Sequence, residues 1–245
     1  MSRDLQLALA LDHRAPETWT WWTYAFVHDH SVPGDAHLWG NLQMYALTAI
    51  PAWALYVLEG QHRRFWLVVA FFLTVVPVVI GATTHVVYPE LGASLKYGRG
   101  FSGVVGAFGG FLLGSTVSAI GARQPERVAY FSLSTLLLLL FASVLVIIGT
   151  APVLFGALTV VTFVGTAWGT RAGHVGTADE YLEWARENRR LAVVIAVGVF
   201  VGVLSIVSAF PSDLTRGATL VNVVGHGTGL LVGLFTGMLA NGFAS

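Results

Sequence analysis

Only 11% of the 245 residues are charged and 55% are hydrophobic, whereas a soluble domain usually carries about 25% charged residues. The formal net charge is zero, which leaves no basic footprint for nucleic acid. The absence of cysteine excludes disulfides, thiol catalysis, iron–sulfur clusters and cysteine-type zinc sites. Together with a mean hydropathy of +0.71, this composition predicts a polytopic membrane protein.

Residues 1–37 predict an outer N-terminal segment that does not span the membrane. Its first apolar run is about seven residues long, is broken by Asp12 and lacks a small-residue cleavage site. The run therefore predicts neither a span nor a signal peptide. Aromatic residues typical of a membrane interface follow it; they are Trp19, Trp21, Trp22 and Tyr24.

The rest of the chain predicts about seven transmembrane helices, since a span needs about 20 mostly apolar residues. The candidate spans are 38–58, 65–88, 102–120, 128–149, 151–170, 191–210 and 220–241. Only residues 149–152 join the fourth span to the fifth, so six spans are the alternative count. We find no internal repeat and no domain linker. The expected fold is an all-α helical bundle, a single transmembrane domain over 1–245.

The arginines predict the orientation of these spans. Eight basic residues fall in the loops after the first, third and fifth spans, and five fall on the other side. Cytoplasmic loops are enriched in Lys and Arg, so the N-terminus is predicted outside and the C-terminus in the cytoplasm. In the third of these loops, Thr177 and Glu180 form a capping box, which predicts a short surface helix before the sixth span.

Polar side chains near spans are costly in lipid and therefore need a reason. His37 and Asn41 head the first span, Ser102 heads the third, and His226 lies in the first turns of the seventh. His37 and Asn41 are four residues apart and share a helix face. All three spans are odd-numbered and run from outside to inside. The four groups are therefore predicted at similar depth, near the extracytoplasmic face.

Two stripes of small residues predict that the third and seventh spans pack together. Each stripe has a small residue at every fourth position. The stripes are Ser102, Gly106, Gly110 and Gly114, and Gly225, Gly229, Gly233 and Gly237. Such stripes let two membrane helices approach backbone to backbone. This packing would bring the serine hydroxyl within reach of the imidazole of His226.

This pairing predicts a catalytic Ser–His dyad. Serine is a weak nucleophile until an adjacent base activates it, so Ser102 is the candidate nucleophile and His226 the candidate base. No carboxylate lies within a predicted span, so a buried third member is not expected. Donors for a developing oxyanion are the side chains of His37 and Asn41 and the Ser102 backbone N–H. The predicted chemistry needs no metal and no cofactor.

Three motifs, in this order, resemble the rhomboid family of intramembrane serine proteases. They are His37-Leu-Trp-Gly-Asn41, matching HxxxN; Gly100-Phe-Ser102-Gly103, matching GxSG; and Gly225-His226-Gly-Thr-Gly229-Leu-Leu-Val-Gly233, close to AHxxGxxxG. Phe26-Val-His28 also resembles the aromatic-x-His that precedes HxxxN. The resemblance implies cleavage of transmembrane protein substrates in the lipid bilayer. It also implies Ser102 as nucleophile, His226 as general base, and His37 and Asn41 in the oxyanion hole.

The chain departs from the family pattern in its helix count and at one position near the serine. The family usually has a span before HxxxN, whereas the first 36 residues here hold none. The family has one span between its serine and histidine helices, whereas we count three. The family often places an aromatic residue four positions after the serine, where this chain has Gly106. Phe101 and Phe108 are the candidates to hold the His226 ring instead.

Two alternative functions stay open from the sequence. One is a rhomboid-like protein without protease activity that serves as a membrane-binding or chaperone module. The other is a haem-binding electron-transfer protein that uses His37, His85 or His226 in pairs. Other types of intramembrane protease lack their residues here, since there is no HExxH and no aspartate in a span. Histidines in predicted loops are assigned no chemistry; they are His13, His30, His62 and His174.

Overall fold

A computed structural model describes residues 2–28, 36–90, 92, 96–123, 178–209, 215–216 and 219–240. The N-terminal elements are α1 (Arg3–Leu9), β1 (Leu11–Asp12), α2 (Thr20–Thr23) and a 3-10 turn (Tyr24–Phe26). The later helices are α3 (Ala36–Leu58), α4 (His62–Thr74), α5 (Val76–Glu90), α6 (Ser102–Gly121), α7 (Ala178–Glu187), α8 (Arg189–Ala209) and α9 (Val223–Ala240). The short strands β2 (Tyr97–Gly98), β3 (Thr215–Arg216) and β4 (Thr219–Leu220) form the antiparallel pairs β1–β2 and β3–β4.

Four helices among the described residues are long and apolar enough to cross a membrane. They are His62–Glu90, which joins α4 and α5, Ser102–Gly121, Arg189–Ala209 and Val223–Ala240. They coincide with the predicted second, third, sixth and seventh spans. Helix α3 covers the first predicted span but is not among the four, because Asn41 and Gln43 lower its mean hydropathy. The predicted spans 128–149 and 151–170 lie outside the described residues, so the count of seven is not confirmed.

The outward faces of these helices carry large apolar side chains. Ile50 of α3, Leu67 of α4 and Val86 of α5 are each 62% exposed, and Leu239 of α9 is 81% exposed. Water-soluble proteins rarely expose apolar patches of this extent. The described part of the chain is therefore an all-α bundle of a membrane protein, with large apolar side chains on its outward faces.

Pro77 explains why the helix His62–Glu90 is interrupted at Val75. A proline has no N–H, so the carbonyl of Leu73, four residues earlier, loses its helical donor. The indole Nε1–H of Trp22 donates to this carbonyl at 2.8 Å, and the Tyr24 hydroxyl donates to the carbonyl of Pro77 at 2.8 Å. The N-terminal aromatic residues are thus docked onto the α4–α5 helix by hydrogen bonds as well as by apolar packing.

Helix α6 lies at the centre of the bundle, and 89% of its candidate span is buried. It packs against α3, α8 and α9. The two predicted small-residue stripes face each other. A Cβ on Gly110 would overlap the carbonyl oxygen of Leu230, and a Cβ on Gly229 would overlap that of Gly103. The same kind of contact with the backbone of the opposite helix is made by Gly106, Gly114, Gly233 and Gly237.

Contacts at the helix ends define two rims of the bundle. Ser102 begins α6 at the first, which we call the Ser102 rim. At the second, the Glu59 rim, Arg123 after α6 forms a 2.6 Å ion pair with Glu59 after α3. Arg64 also donates there to the carbonyl of Ala240 at 3.2 Å. Helix α6 runs from the first rim to the second and α8 runs back, which brings the start of α9 to Ser102.

The surface helix predicted before the sixth span is present as α7, although Thr177 lies outside the described residues. The Asn188 side chain, between α7 and α8, donates to the carbonyl of Trp184 at 3.1 Å. A cavity of about 500 Å³ lies beside this junction, lined by Leu58, Glu59, Arg123 and residues 187–191. It is therefore at the Glu59 rim, far along α6 from Ser102.

Cysteine substitution tests the predicted orientation, because the native chain contains no cysteine. Glu90→Cys places an exposed thiol at the end of α5, beyond the contact of Thr84 with Asn222 at the Ser102 rim, and Glu187→Cys places one at the Glu59 rim. A membrane-impermeant maleimide applied to intact cells is expected to label Glu90→Cys, because the positive-inside rule puts that rim outside. Glu187→Cys is expected to react only after permeabilisation. The opposite pattern would place Ser102 at the cytoplasmic face.

Candidate active site

The structure brings Ser102 and His226 into direct contact. Ser102 is the first residue of α6, and His226 lies in the first turns of α9. The Ser102 hydroxyl Oγ and His226 Nε2 are 2.8 Å apart, although 124 positions separate the two residues in sequence. The close packing of α6 on α9 produces this contact, since a Cβ on Gly106 would lie 3.0 Å from the carbonyl oxygen of His226.

The second nitrogen of the His226 ring fixes its protonation. His226 Nδ1 lies 2.7 Å from the carbonyl oxygen of Ala209. A carbonyl oxygen only accepts hydrogen bonds, so Nδ1 carries the proton and Nε2 presents its lone pair to the Ser102 hydroxyl. Ala209 ends α8, where the last carbonyls lack helical donors and the helix dipole is negative. The Ala209 carbonyl therefore fixes both the tautomer and the orientation of the His226 ring.

The backbone before Ser102 takes a conformation that glycine favours. Gly100 has φ of +118°, and its N–H donates to the carbonyl of Tyr24 at 3.0 Å. A Cβ on Gly100 would lie 3.9 Å from His37 Nε2 and 4.0 Å from Ser102 Oγ. His37 and the nucleophile thus approach the same point in space, and the absence of a side chain at position 100 leaves that point open.

Asn41 is buried and hydrogen-bonded to a residue that the motif analysis did not place in the site. Its amide Nδ2 lies 3.1 Å from His28 Nε2, and both side chains are only 8% exposed. The amide nitrogen is a donor, so His28 accepts through Nε2. The rings of His28 and His37 are 5.9 Å apart. The aromatic-x-His motif was the one sequence signal for His28.

The start of α6 supplies backbone donors next to the nucleophile. The first N–H of this region with a helical acceptor is that of Val105, which donates to the carbonyl of Phe101 at 3.0 Å. The N–H groups of Ser102, Gly103 and Val104 come before it and point along the helix axis, as at any helix N-terminus. They also carry the positive end of the helix dipole. The Ser102 rim therefore combines a hydroxyl, a base and anion-stabilising donors.

Asn222 holds the start of the histidine helix. Its side-chain oxygen accepts from the Gly225 N–H at 2.8 Å, and its amide donates to the Thr84 hydroxyl of α5 at 3.2 Å. This is an N-cap that also ties α9 to α5. Gly225 was predicted to belong to the packing stripe, and a Cβ on Gly103 of α6 would lie 3.2 Å from its carbonyl oxygen. A Cβ on Gly225 itself would meet the Asn222 side chain at 2.6 Å, so this glycine also leaves room for the cap.

The two phenylalanines considered for holding the His226 ring pack elsewhere. Phe101 contacts Phe26 and Tyr45, with centroids 5.9 and 6.0 Å apart, and Phe108 contacts Tyr45 and Phe72. Position 106 faces the backbone of α9, so an aromatic side chain there would not fit this helix packing. The hydrogen bond to the Ala209 carbonyl holds the ring in their place.

Two of the three histidines considered for haem ligation are engaged in other contacts. His226 is committed through both nitrogens, and His85 Nδ1 lies 3.4 Å from His13 Nδ1. Within the part of the chain that the structure describes, no group of three or more His, Asp or Glu residues is arranged to hold a metal ion. The pairing of His13 with His85 was missed from the sequence, where His13 was assigned no chemistry.

Comparison with protein-family models, with curated proteins and with solved structures found no match for this chain. The function of the chain is therefore inferred from the geometry of the Ser102 rim and from the three sequence motifs around it. Geometry is the stronger basis of the two, because function belongs to sites and not to folds.

If the Ser102 rim carries out the hydrolysis that the motifs predict, the His28–Asn41 hydrogen bond predicts a graded effect on its rate. Asn41→Ala removes a candidate oxyanion donor and is expected to lower kcat by about 10²-fold. His28→Ala leaves the Asn41 amide without its acceptor and is expected to lower kcat by about tenfold. His28→Gln restores an acceptor and should recover most of that loss. Steady-state kinetics on one transmembrane substrate measure all three variants, and an unchanged kcat in His28→Ala would contradict the positioning role.

Proposed function

We propose that this chain is an intramembrane serine endopeptidase of the rhomboid type. The observation that carries the proposal is the 2.8 Å contact between Ser102 Oγ and His226 Nε2, with His226 Nδ1 held by the Ala209 carbonyl. A serine, an oriented base and helix-start donors form a nucleophilic site of the kind used in acyl transfer. The motif resemblance supports the same assignment.

The geometry supports a two-step mechanism. Ser102 Oγ attacks the scissile carbonyl carbon while its proton passes to His226 Nε2, and the Ala209 carbonyl with the C-terminus of α8 stabilises the imidazolium. His226 then returns the proton to the leaving amine as the C–N bond breaks. Water hydrolyses the acyl-enzyme with His226 again as base. No carboxylate is needed, because the end of a helix supplies the negative potential that an aspartate provides in a triad.

Three groups are placed to stabilise the oxyanion. The His37 side chain approaches the nucleophile, and the backbone N–H of Ser102 lies at the positive end of α6. The Asn41 amide has two N–H groups, one of which is used by His28, so the second is available for substrate. One oxyanion donor is typically worth about 3 kcal/mol of transition-state stabilisation.

Location at the end of a transmembrane helix favours membrane-anchored substrates. The Ser102 rim is where α6 begins, and the outer faces of the bundle carry exposed apolar side chains that contact lipid. A substrate helix diffusing in the bilayer would reach the site near its own end, where its peptide bonds can leave the helical conformation. With the predicted orientation, cleavage occurs near the extracytoplasmic face of the cell membrane.

Labelling with a fluorophosphonate probe in detergent tests the proposal directly. The wild-type chain is expected to form a covalent adduct at Ser102, identified by peptide mass spectrometry, and Ser102→Ala is expected to form none. The exposed serine of the α1 cap, Ser2, gives a matched control, since Ser2→Ala should label like the wild type. An unlabelled wild type that also fails to cleave a transmembrane substrate would instead favour the inactive membrane-binding or chaperone module.

A further inference from the structure

His13 and His85 form a half-buried pair beside the backbone that leads to Ser102. Their Nδ1 atoms are 3.4 Å apart, and their ring planes differ by 17°. The ring centroids are 5.6 Å apart, which is the nitrogen–nitrogen distance plus one ring radius at each end. The two rings therefore lie edge to edge in nearly one plane. This is the geometry of an N–H···N hydrogen bond, not of face-to-face stacking.

Only one proton fits between the two facing nitrogens. One Nδ1 must donate and the other must accept, so protonating both would point two N–H groups at each other. The far nitrogen of His13, Nε2, is buried without a hydrogen-bond partner among the described residues. A proton added there would place a charge where nothing on the described chain solvates it. His13 in the closed pair therefore resists an added proton, and the pair cannot stay closed with both rings protonated.

The groups around the pair also favour the neutral form of His13. Burial lowers the pKa of His13, the neighbouring His85 lowers it further, and the Asp12 carboxylate raises it by a smaller amount. The nearby charged groups on the same elements are Asp12 and Arg14, Glu90 at the end of α5, and Lys96 and Arg99 beside β2. Trp21 packs its ring edge-on against His85, with centroids 5.5 Å apart.

The direction of the pH dependence follows from the lowered pKa. The closed pair binds fewer protons than the separated rings once the pH falls below the ordinary histidine value of about 6.5. The pair therefore contributes its full stability above that pH. The contribution is lost as the pH falls below 6.5 toward the lower pKa of the closed state.

The pair is joined to the nucleophile through a short path of backbone. His13 donates its N–H to the carbonyl of Lys96 at 3.0 Å, and β1 pairs with β2 so that Leu11 is opposite Gly98. A Cβ on Gly98 would lie 3.1 Å from His13 Nε2, so the β2 backbone packs directly on the histidine ring. Two residues later comes Gly100, and then Ser102. The His13–His85 pair thus contacts the segment of backbone that sets the position of the nucleophile.

We propose that the His13–His85 pair is an acid-released latch that holds the β1–β2 ladder, and with it the loop leading to Ser102, until acidification at the Ser102 rim opens it. The opening of the ladder stands independently of the proposed protease. Its effect on Ser102 reactivity rests on the proposed function.

Amide hydrogen exchange on the full chain in lipid nanodiscs tests the opening. Exchange is measured in peptides covering residues 9–14 and 96–101, after correction for intrinsic exchange rates. Their protection is expected to fall about tenfold between about pH 7.5 and about pH 5.5, because protonation breaks the hydrogen bond between His13 and His85. Unchanged protection of both peptides in the wild type would overturn the proposal without recourse to any variant.

Variants separate the latch from a general effect of acid. His13→Asn combined with His85→Asn keeps a donor facing an acceptor but cannot titrate, so its protection should be the same at both pH values. His85→Phe keeps an aromatic ring against Trp21 without the acceptor, so protection should be low already at neutral pH. His62→Asn, an exposed histidine at the Glu59 rim, should respond like the wild type. A wild-type response in the double variant would contradict the proposal.

Fluorophosphonate labelling of the same samples distinguishes failure of the latch from failure of the proposed function. The labelling rate of the wild type is expected to fall more steeply with acid than that of the double variant, which lacks the His13–His85 pair. Acid-opened exchange without labelling at any pH would leave the latch standing and remove the protease. Labelling with equal pH profiles in wild type and double variant would leave the protease standing and overturn the effect of the latch on Ser102.

Discussion

Ser102→Ala and His226→Ala are each expected to lower the rate of peptide-bond cleavage by about 10³-fold or more while the protein still folds. Ser102→Ala removes the attacking oxygen, and His226→Ala removes the group that takes its proton. Neither substitution alters the glycines through which α6 and α9 approach each other, or the leucines that pack between them. The measurement is the cleavage rate of a reconstituted transmembrane substrate, with thermal unfolding recorded on the same samples.

The double variant distinguishes a dyad from two independent contributions. Groups that act as one unit are non-additive, so Ser102→Ala/His226→Ala should be no slower than either single variant. His62→Ala is the matched control, since it removes an exposed imidazole at the opposite rim. Retention of full cleavage in Ser102→Ala or in His226→Ala would exclude the mechanism. A multiplicative loss in the double variant would mean that the two side chains act separately.

Local sequence patterns predicted the parts of the site that depend on helix periodicity. A small residue at every fourth position specified which face of α6 meets α9, and the depth of Ser102 and His226 followed from the direction of each span. Both features depend on regular helix geometry, in which the separation of two residues along the sequence fixes their relative positions in space. The membrane class followed from composition in the same way.

The features that sequence reasoning missed are single contacts between distant parts of the chain. The Ala209 carbonyl that orients His226 is a backbone group and leaves no mark on residue identity. His13 contacts His85, 72 positions later in the sequence. The β1–β2 pair beside this contact has two residues in each strand, which is too short for a periodic pattern to predict it. Position 106 lacks the expected aromatic because α6 and α9 approach too closely there, which is a property of the pair of helices and not of either sequence alone.

Replacing Gly110 or Gly229 with valine is expected to separate α6 from α9. A Cβ at either position would overlap a carbonyl oxygen of the opposite helix, and backbone cannot move aside as a flexible side chain can. Overpacking of this kind costs about 1–3 kcal/mol, and sometimes more. A displacement near 1 Å at the dyad lowers the rate by about 10²-fold, so cleavage should fall even where the bundle stays folded.

A control on α3 separates helix displacement from the intrinsic cost of valine in a membrane helix. Gly40 has open space around the position of a Cβ, so Gly40→Val should leave the thermal unfolding midpoint nearly unchanged.

Gly110→Ala adds one methyl group and should fall between the wild type and Gly110→Val in both stability and rate. Because Gly110 and Gly229 lie on opposite sides of the same interface, their valine variants should behave alike. Both should lose fluorophosphonate labelling at Ser102 while the side chains of His37 and Asn41 stay in place on α3. Wild-type labelling in both variants would show that the stripes do not set the distance between Ser102 and His226.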